Sequence, residues 1–142
     1  MAFRNHLRIF NQQIRCHSNS IYYTGSHNYI KKHDGFYTLG ITKSLTRKIY
    51  PIIYTEFHVK PGEFIKKNQP LVLLESSVTS KTIISPIDCI IYNINKEIED
   101  NNFIINSDPL NSGWLFEIFI KNNLLHNNND LMNEDEYNKY IE

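Results

Sequence analysis

Short runs of apolar and β-branched residues, broken by Pro, Gly, Asn and Asp, make up most of the chain from Tyr29 onward. Runs of this length predict strands rather than helices. Residues 35–41 follow Asp34-Gly35, a hairpin turn signal that joins them to the stretch around residues 27–31. Residues 43–48 predict one or two helical turns, stopped near Pro51. Residues 52–59 predict a strand, and Lys60-Pro61-Gly62-Glu63 a turn. The unbroken apolar run Leu71-Val72-Leu73-Leu74 within residues 70–75 predicts a strand buried on both faces. Residues 79–84, 89–94 and 114–120 predict three more strands, and residues 100–106 read as polar and irregular. Residues 130–141 predict a C-terminal helix with Asp130 near its N-cap. The sum is a mainly β domain, a flattened hybrid barrel or sandwich with short helices and a C-terminal helix. A weak internal echo runs through it: residues 59–65 with their Pro-containing turn, then the apolar strand ending at Glu75, and again a Pro-containing turn and strand over residues 84–90.

The N-terminal segment has a different texture. Residues 1–33 contain no Asp or Glu. Wound as a helix, Phe3, Leu7, Phe10 and Ile14 share one face, and Arg4, Arg8 and Arg15 cluster on another. An acid-free, Arg-bearing amphipathic segment predicts a mitochondrial targeting peptide over residues 1–22. It places the mature protein in the mitochondrial matrix and the domain proper over residues 23–142. A secretory signal does not fit, since no continuous apolar h-region is present.

Charge and cysteine content narrow the classes of function. The 142 residues carry 15 basic and 15 acidic side chains, a formal net charge of zero. Without the three N-terminal arginines, 12 basic residues face 15 acidic ones, so the domain is mildly acidic. That argues against nucleic acid as a partner. No apolar run has transmembrane length, which argues against a membrane span. Two cysteines exclude a disulfide-knit scaffold and a Cys-rich zinc module. His27, His33 and His58 do not follow a zinc-ligand spacing, so no metal is expected. Ser76 and Ser77 beside Glu75 read as turn serines, with no His–acid pair to activate them. Trp114 and the 17 Tyr and Phe residues read as packing.

Six pieces then stand in the order of one family. Tyr23-Thr24-Gly25-Ser26-His27-Asn28-Tyr29 is similar to an opening Tyr-Thr…His-Glu-Trp, and Gly40-Ile41-Thr42 matches Gly-Ile-Thr. Residues 59–69 resemble the turn before a carrier hairpin, which Glu75-Ser76 and Ser85-Pro86 frame. Asn106-Ser107-Asp108-Pro109 with Gly113-Trp114-Leu115 resembles Asn-x-Asp-Pro…Gly-x-Gly-Trp-Leu, and Leu131-Met132 with Tyr137 resembles the C-terminal Leu-Met-x-x-x-x-Tyr helix. Over residues 23–142 the chain resembles the H proteins of the glycine cleavage system, members of the lipoyl and biotinyl carrier superfamily. The resemblance implies a lipoyl-type fold without a catalytic site of its own. It implies lipoate in amide linkage to a lysine at the hairpin apex. The implied partners are a PLP-dependent decarboxylase, an aminomethyltransferase and a dihydrolipoyl dehydrogenase, or the enzyme that attaches lipoate.

The departure falls on the lysine. The family's hairpin reads Glu-Ser-Val-Lys-Ala with its Ser-Pro at fixed distance, and Glu75 and Pro86 keep that distance without a gap. The lipoyl position is then Val78, which has no amine. The nearest lysine is Lys81, three residues on, about 10 Å further along a strand and on the other face. Cys89 takes the place of a glycine after the Ser-Pro turn, which predicts strain or rearrangement there. Glu75, Ser76, Ser77, Thr79 and Ser80 would form the recognition hairpin. The expectation is a non-lipoylated binding or regulatory subunit. The alternatives are a carrier lipoylated at Lys81, or a structural subunit of an unrelated mitochondrial complex.

Overall fold

A computed structural model describes residues 20–121, 124, 125 and 128–142. Their strands form two antiparallel sheets. The larger runs β1 (Ile21–Tyr23), β2 (Asn28–Lys32), β3 (Tyr37–Ile41), β9 (Phe116–Phe119), β8 (Cys89–Ile94), β5 (Phe64–Ile65). The smaller places β6 (Pro70–Ser76) between β4 (Ile52–Phe57) and β7 (Ser80–Ile84). Four short helices, α1 (Lys43–Lys48), α2 (Glu97–Asp100), α3 (Phe103–Ser107) and α4 (Glu134–Tyr140), fill the connections. The mainly β expectation holds. Both sheets keep free edges, so the described strands make an open sandwich and not a closed barrel.

The core lies between the sheets. Ile30, Leu39 and Ile41 of the larger sheet pack in one cluster with Ile52, Leu71, Leu74 and Ile83 of the smaller. The central position of β6 explains its apolar run: Leu71, Val72 and Leu74 are fully buried. The two halves of the internal echo lie against each other. Phe64 pairs with Ile90 and Ile65 with Cys89, while Asn68 N donates to Ser85 O and Ser85 N to Gln69 O.

Residues far apart in sequence meet around Tyr29. Its ring is fully buried, and its hydroxyl donates to Pro109 O at 2.6 Å. The ring lies so close over Gly40 that a Cβ there would approach it to 2.6 Å. This gives a packing reason for the glycine of Gly40-Ile41-Thr42. Asp108 accepts from Ser112 N at 3.1 Å and from Asn111 Nδ2 at 3.3 Å, and these bonds hold its carboxyl below the usual range. Its carbonyl accepts from Gly113 N at 2.7 Å, so the Asp-Pro…Gly-Trp segment is a closed loop.

Several expectations are corrected. Residues 100–106 are not irregular: α2 and α3 form there, each anchored by one buried side chain, Ile98 and Ile105. The asparagines serve β4. Asn106 accepts from Ile52 N and donates to Ile52 O, and Asn102 donates to Ile53 O. The last helix starts at Glu134, capped reciprocally by Asn133 and Glu136. Asp130 is outside it, paired instead with Lys67 at 2.8 Å. Strands β1 and β5 were not expected. Ile21 and Tyr22, placed in the leader on sequence, lie in β1 and pair with β2. Most of the predicted targeting segment, residues 1–19, and Cys16 with it, lies outside the described residues.

Candidate functional site at the β6–β7 hairpin

Strands β6 and β7 pair with Glu75 opposite Ser80 and Leu74 opposite Lys81. The connection beyond them is tight. Ser76 N donates to Thr79 O at 2.8 Å, leaving Ser77 and Val78 as the two loop residues. The Ser76 hydroxyl staples the turn: it donates to Thr79 O and accepts from Val78 N and Thr79 N, at 3.0–3.2 Å. Val78 stands at the tip, 73 % exposed, the most exposed of the large apolar side chains described. Glu75, half-buried, also pairs with Tyr54 of β4. The hairpin residues predicted from sequence are thus gathered at one end of the smaller sheet.

A lipoyl amide requires a primary amine, and the tip does not offer one. Lys81 carries an exposed amine but lies within β7, across from the core residue Leu74. Alternation along the strand puts it on the same face as buried Ile83. The apex therefore does not fit lipoate. Cys89, expected to be strained, is the first residue of β8 and pairs with Ile65; among the described residues positive φ outside glycine falls only on His27 and Asn68.

Beside the hairpin lies a polar relay that brings together residues of three separate motif pieces. His27 Nδ1 is 2.8 Å from the Tyr137 hydroxyl, which is 2.7 Å from Thr42 Oγ1. Lys48 Nζ lies 3.2 Å from His27 Nε2. An ammonium only donates, so Nε2 accepts, Nδ1 carries the proton and donates to Tyr137, and Tyr137 donates to Thr42. Tyr137 is buried and stacks on Tyr23 at 4.5 Å. The partners stand 110 and 21 residues from His27; the resembled motifs hold His27, Thr42 and Tyr137 separately and do not show that they meet.

Burial, then the charges of Lys48 and Lys81, lower the His27 pKa; burial and Lys31 lower that of His33. An unfolded imidazole takes up its proton near pH 6.5, and the folded one at lower pH. The native state thus binds fewer protons between those values, and stability present above about pH 6.5 is lost as pH falls toward the folded pKa. The melting temperature is expected to drop between pH 7 and 5. His27→Asn, which tolerates the left-handed backbone at φ 66°, should flatten the drop, and adding His33→Gln should flatten it further. An unchanged slope in the double variant would show that other groups govern it.

The other candidates are dispersed. His33 Nε2 contacts Thr38 Oγ1 at 3.0 Å, and His58 lies 3.9 Å from Glu56. Among the described residues, His, Cys, Asp and Glu do not gather into a group of three able to hold a metal. Cys89 is buried, and burial pushes its thiol up to about 11. Iodoacetamide at about pH 8 should leave it unlabelled in the folded protein and label it in urea, read by peptide mapping.

The two-sheet sandwich with an exposed hairpin at one end of its smaller sheet has the build of a carrier-type domain. Residues 21–142 match the family model described as Glycine cleavage H-protein. A "Probable glycine cleavage system H protein" of Picrophilus torridus is 34 % identical over 122 residues, covering 86 % of this chain and 94 % of the relative. A "Probable glycine cleavage system H protein 1, mitochondrial" of Dictyostelium discoideum is 28 % identical over 120 residues, covering 84 % and 80 %. The crystal structure of a glycine cleavage system H protein from Mycobacterium marinum shares the fold, with a TM-score of 0.73 at 21 % identity, covering 85 % of this chain and 95 % of that one. The chain belongs to the glycine cleavage H-protein family.

Proposed function

We propose that this H protein works without a lipoyl arm, as a binding or regulatory subunit of mitochondrial glycine and lipoate metabolism. One observation carries the reading: the exposed tip of the β6–β7 turn is Val78, where the resembled motif has its lysine. The rest of the hairpin keeps its frame, with Glu75 and Ser76 before the tip and Ser85-Pro86 after it. It is the surface offered to the PLP-dependent decarboxylase, the aminomethyltransferase, the dihydrolipoyl dehydrogenase or the lipoate-attaching enzyme. The acid-free, Arg-bearing N-terminal segment supports import into the matrix, and a relative whose name carries the word mitochondrial agrees with it. The pairing of Ile21 and Tyr22 with β2 supports a leader that ends before β1.

The test is the intact mass of the mature protein, purified from its own organism grown with ample lipoate. The unmodified mass is expected. A lipoyl adduct that disappears in Lys81→Arg would replace this reading with a carrier loaded at Lys81.

A further inference from the structure

The outer face of the larger sheet carries an uncovered row of large apolar side chains. Phe64 of β5 lies opposite Ile90 of β8, and Ile90 lies opposite Phe119 of β9. Directly opposed residues of antiparallel strands share a face. Their neighbours Ile65, Ile91 and Ile118 turn inward and are buried in the core, so the row points away from it. Tyr92 joins the row, its ring 4.9 Å from that of Phe119. All four are 41–58 % exposed. The four helices make their main contacts with β1, β4 and one another, away from β5, β8 and β9.

The size of the patch and the charges at its border suit a second copy of the chain. With roughly 200 Å² for each large side chain, the exposed fractions leave on the order of 400 Å² of apolar surface. A stable interface takes about 800 Å² from each partner, a little over half of it apolar, so the patch supplies nearly all of that share. Asp88 before β8 and Lys121 after β9 continue the two strands and border the same hollow as Phe64, Ile90 and Phe119. Both are exposed, and neither takes part in the ion pairs of the described residues. Lys67 N donates to Asp88 Oδ1 at 2.7 Å and holds that carboxylate in place. A two-fold axis running along the strands between β8 and β9 stacks Ile90 on Phe119 of the second copy and Asp88 on its Lys121, and the reverse. The patch is thus complementary to itself in charge as well as in surface.

We propose that two copies of the chain associate face to face through Phe64, Ile90, Tyr92 and Phe119, with Asp88 of each beside Lys121 of the other. The smaller sheet packs on the opposite side of the larger one, so both β6–β7 hairpins stay free. The dimer presents two hairpins, whichever way Val78 is read.

Sedimentation equilibrium of the full chain tests this. The parent should approach the mass of two chains at about 100 μM and dissociate on dilution, as micromolar interfaces do. Ile90→Glu buries a carboxylate of each copy in the face and should leave a one-chain mass throughout. Lys121→Glu sets like charges against each other and should weaken association by about tenfold or more. Adding Asp88→Lys reverses the pair and should recover most of that loss. Thermal melts show whether each variant is folded. Should Ile90→Glu fail to fold, the charge pair carries the test, since both of its positions are exposed. The proposal is overturned if the parent keeps a one-chain mass at every concentration, or if folded Ile90→Glu dimerises as the parent does. It is equally overturned if Lys121→Glu associates as tightly as the parent, or if the double reversal recovers nothing.

Discussion

Val78→Lys should turn an unmodified protein into a lipoylated one when it is coexpressed with a lipoate-attaching enzyme and lipoate. The turn geometry favours this. The Ser76 hydroxyl, not the Val78 side chain, holds the turn closed, so the substitution leaves the staple intact. At 73 % exposure the valine contributes little packing, and a lysine there should change stability by no more than about 0.5 kcal/mol. The new amine would project from the tip with Glu75 at its frame distance. Intact mass and tryptic mapping should find the adduct at residue 78 and not at Lys81, and Lys81→Arg in the same background should leave it in place. If Val78→Lys stays unmodified while a control lipoyl domain in the same cells is loaded, the missing amine is not the whole departure. Ser77 and Thr79, where the motif has Val and Ala, would then be the next residues to restore.

The largest loss of stability is expected from Gly113→Ala. A Cβ at Gly113 would lie 2.7 Å from Asp108 O, 2.8 Å from Ile104 O and 3.0 Å from Pro109 Cα. All three are backbone atoms, two in the closed loop and one in α3, and they cannot move aside as a side chain can. Overpacking of this kind costs about 3 kcal/mol, a fall in melting temperature on the order of 10 °C for a domain this size. Gly40→Ala meets the Tyr29 ring, which is tethered to Pro109 O and can shift only with it, so a smaller loss follows. Gly35→Ala meets nothing within 4 Å and bears only the strain of φ 88°, about 1 kcal/mol. Urea midpoints at constant slope measure the series. An order other than Gly113, Gly40, Gly35 would contradict the packing account.

The strands that were legible in the sequence are those whose apolar residues alternate or run together. The Asp34-Gly35 hairpin, the run at Leu71–Leu74 and the strand from Cys89 each carry their own signal. What was missed is held by tertiary contacts. Ile98 and Ile105 are single apolar anchors in polar surroundings, so α2 and α3 have no periodicity to detect. Strand β5 is two residues long and exists through its pairing with β8. Asp130 and Asn133 are both good N-cap residues; Lys67 engages the first and the capping box selects the second. At the site, the resemblance located Val78, because Glu75 and Pro86 keep the spacing of the family's hairpin motif.

Lys81 has a further consequence. Strand β7 is the outer strand of its sheet, with one row of backbone groups unpaired within it, and it reads Ser80-Lys81-Thr82-Ile83-Ile84. A β-branched edge of this kind invites a second chain to add itself there. A charged side chain on the inward-turning face is a barrier to that, because an added strand would have to bury the ammonium. In that place Lys81 would serve as a gatekeeper against self-association, a role that needs its charge and its position on the strand and does not need its nucleophilicity. Lys81→Val should leave the fold intact and raise light scattering with concentration, whereas Lys81→Arg should stay monodisperse.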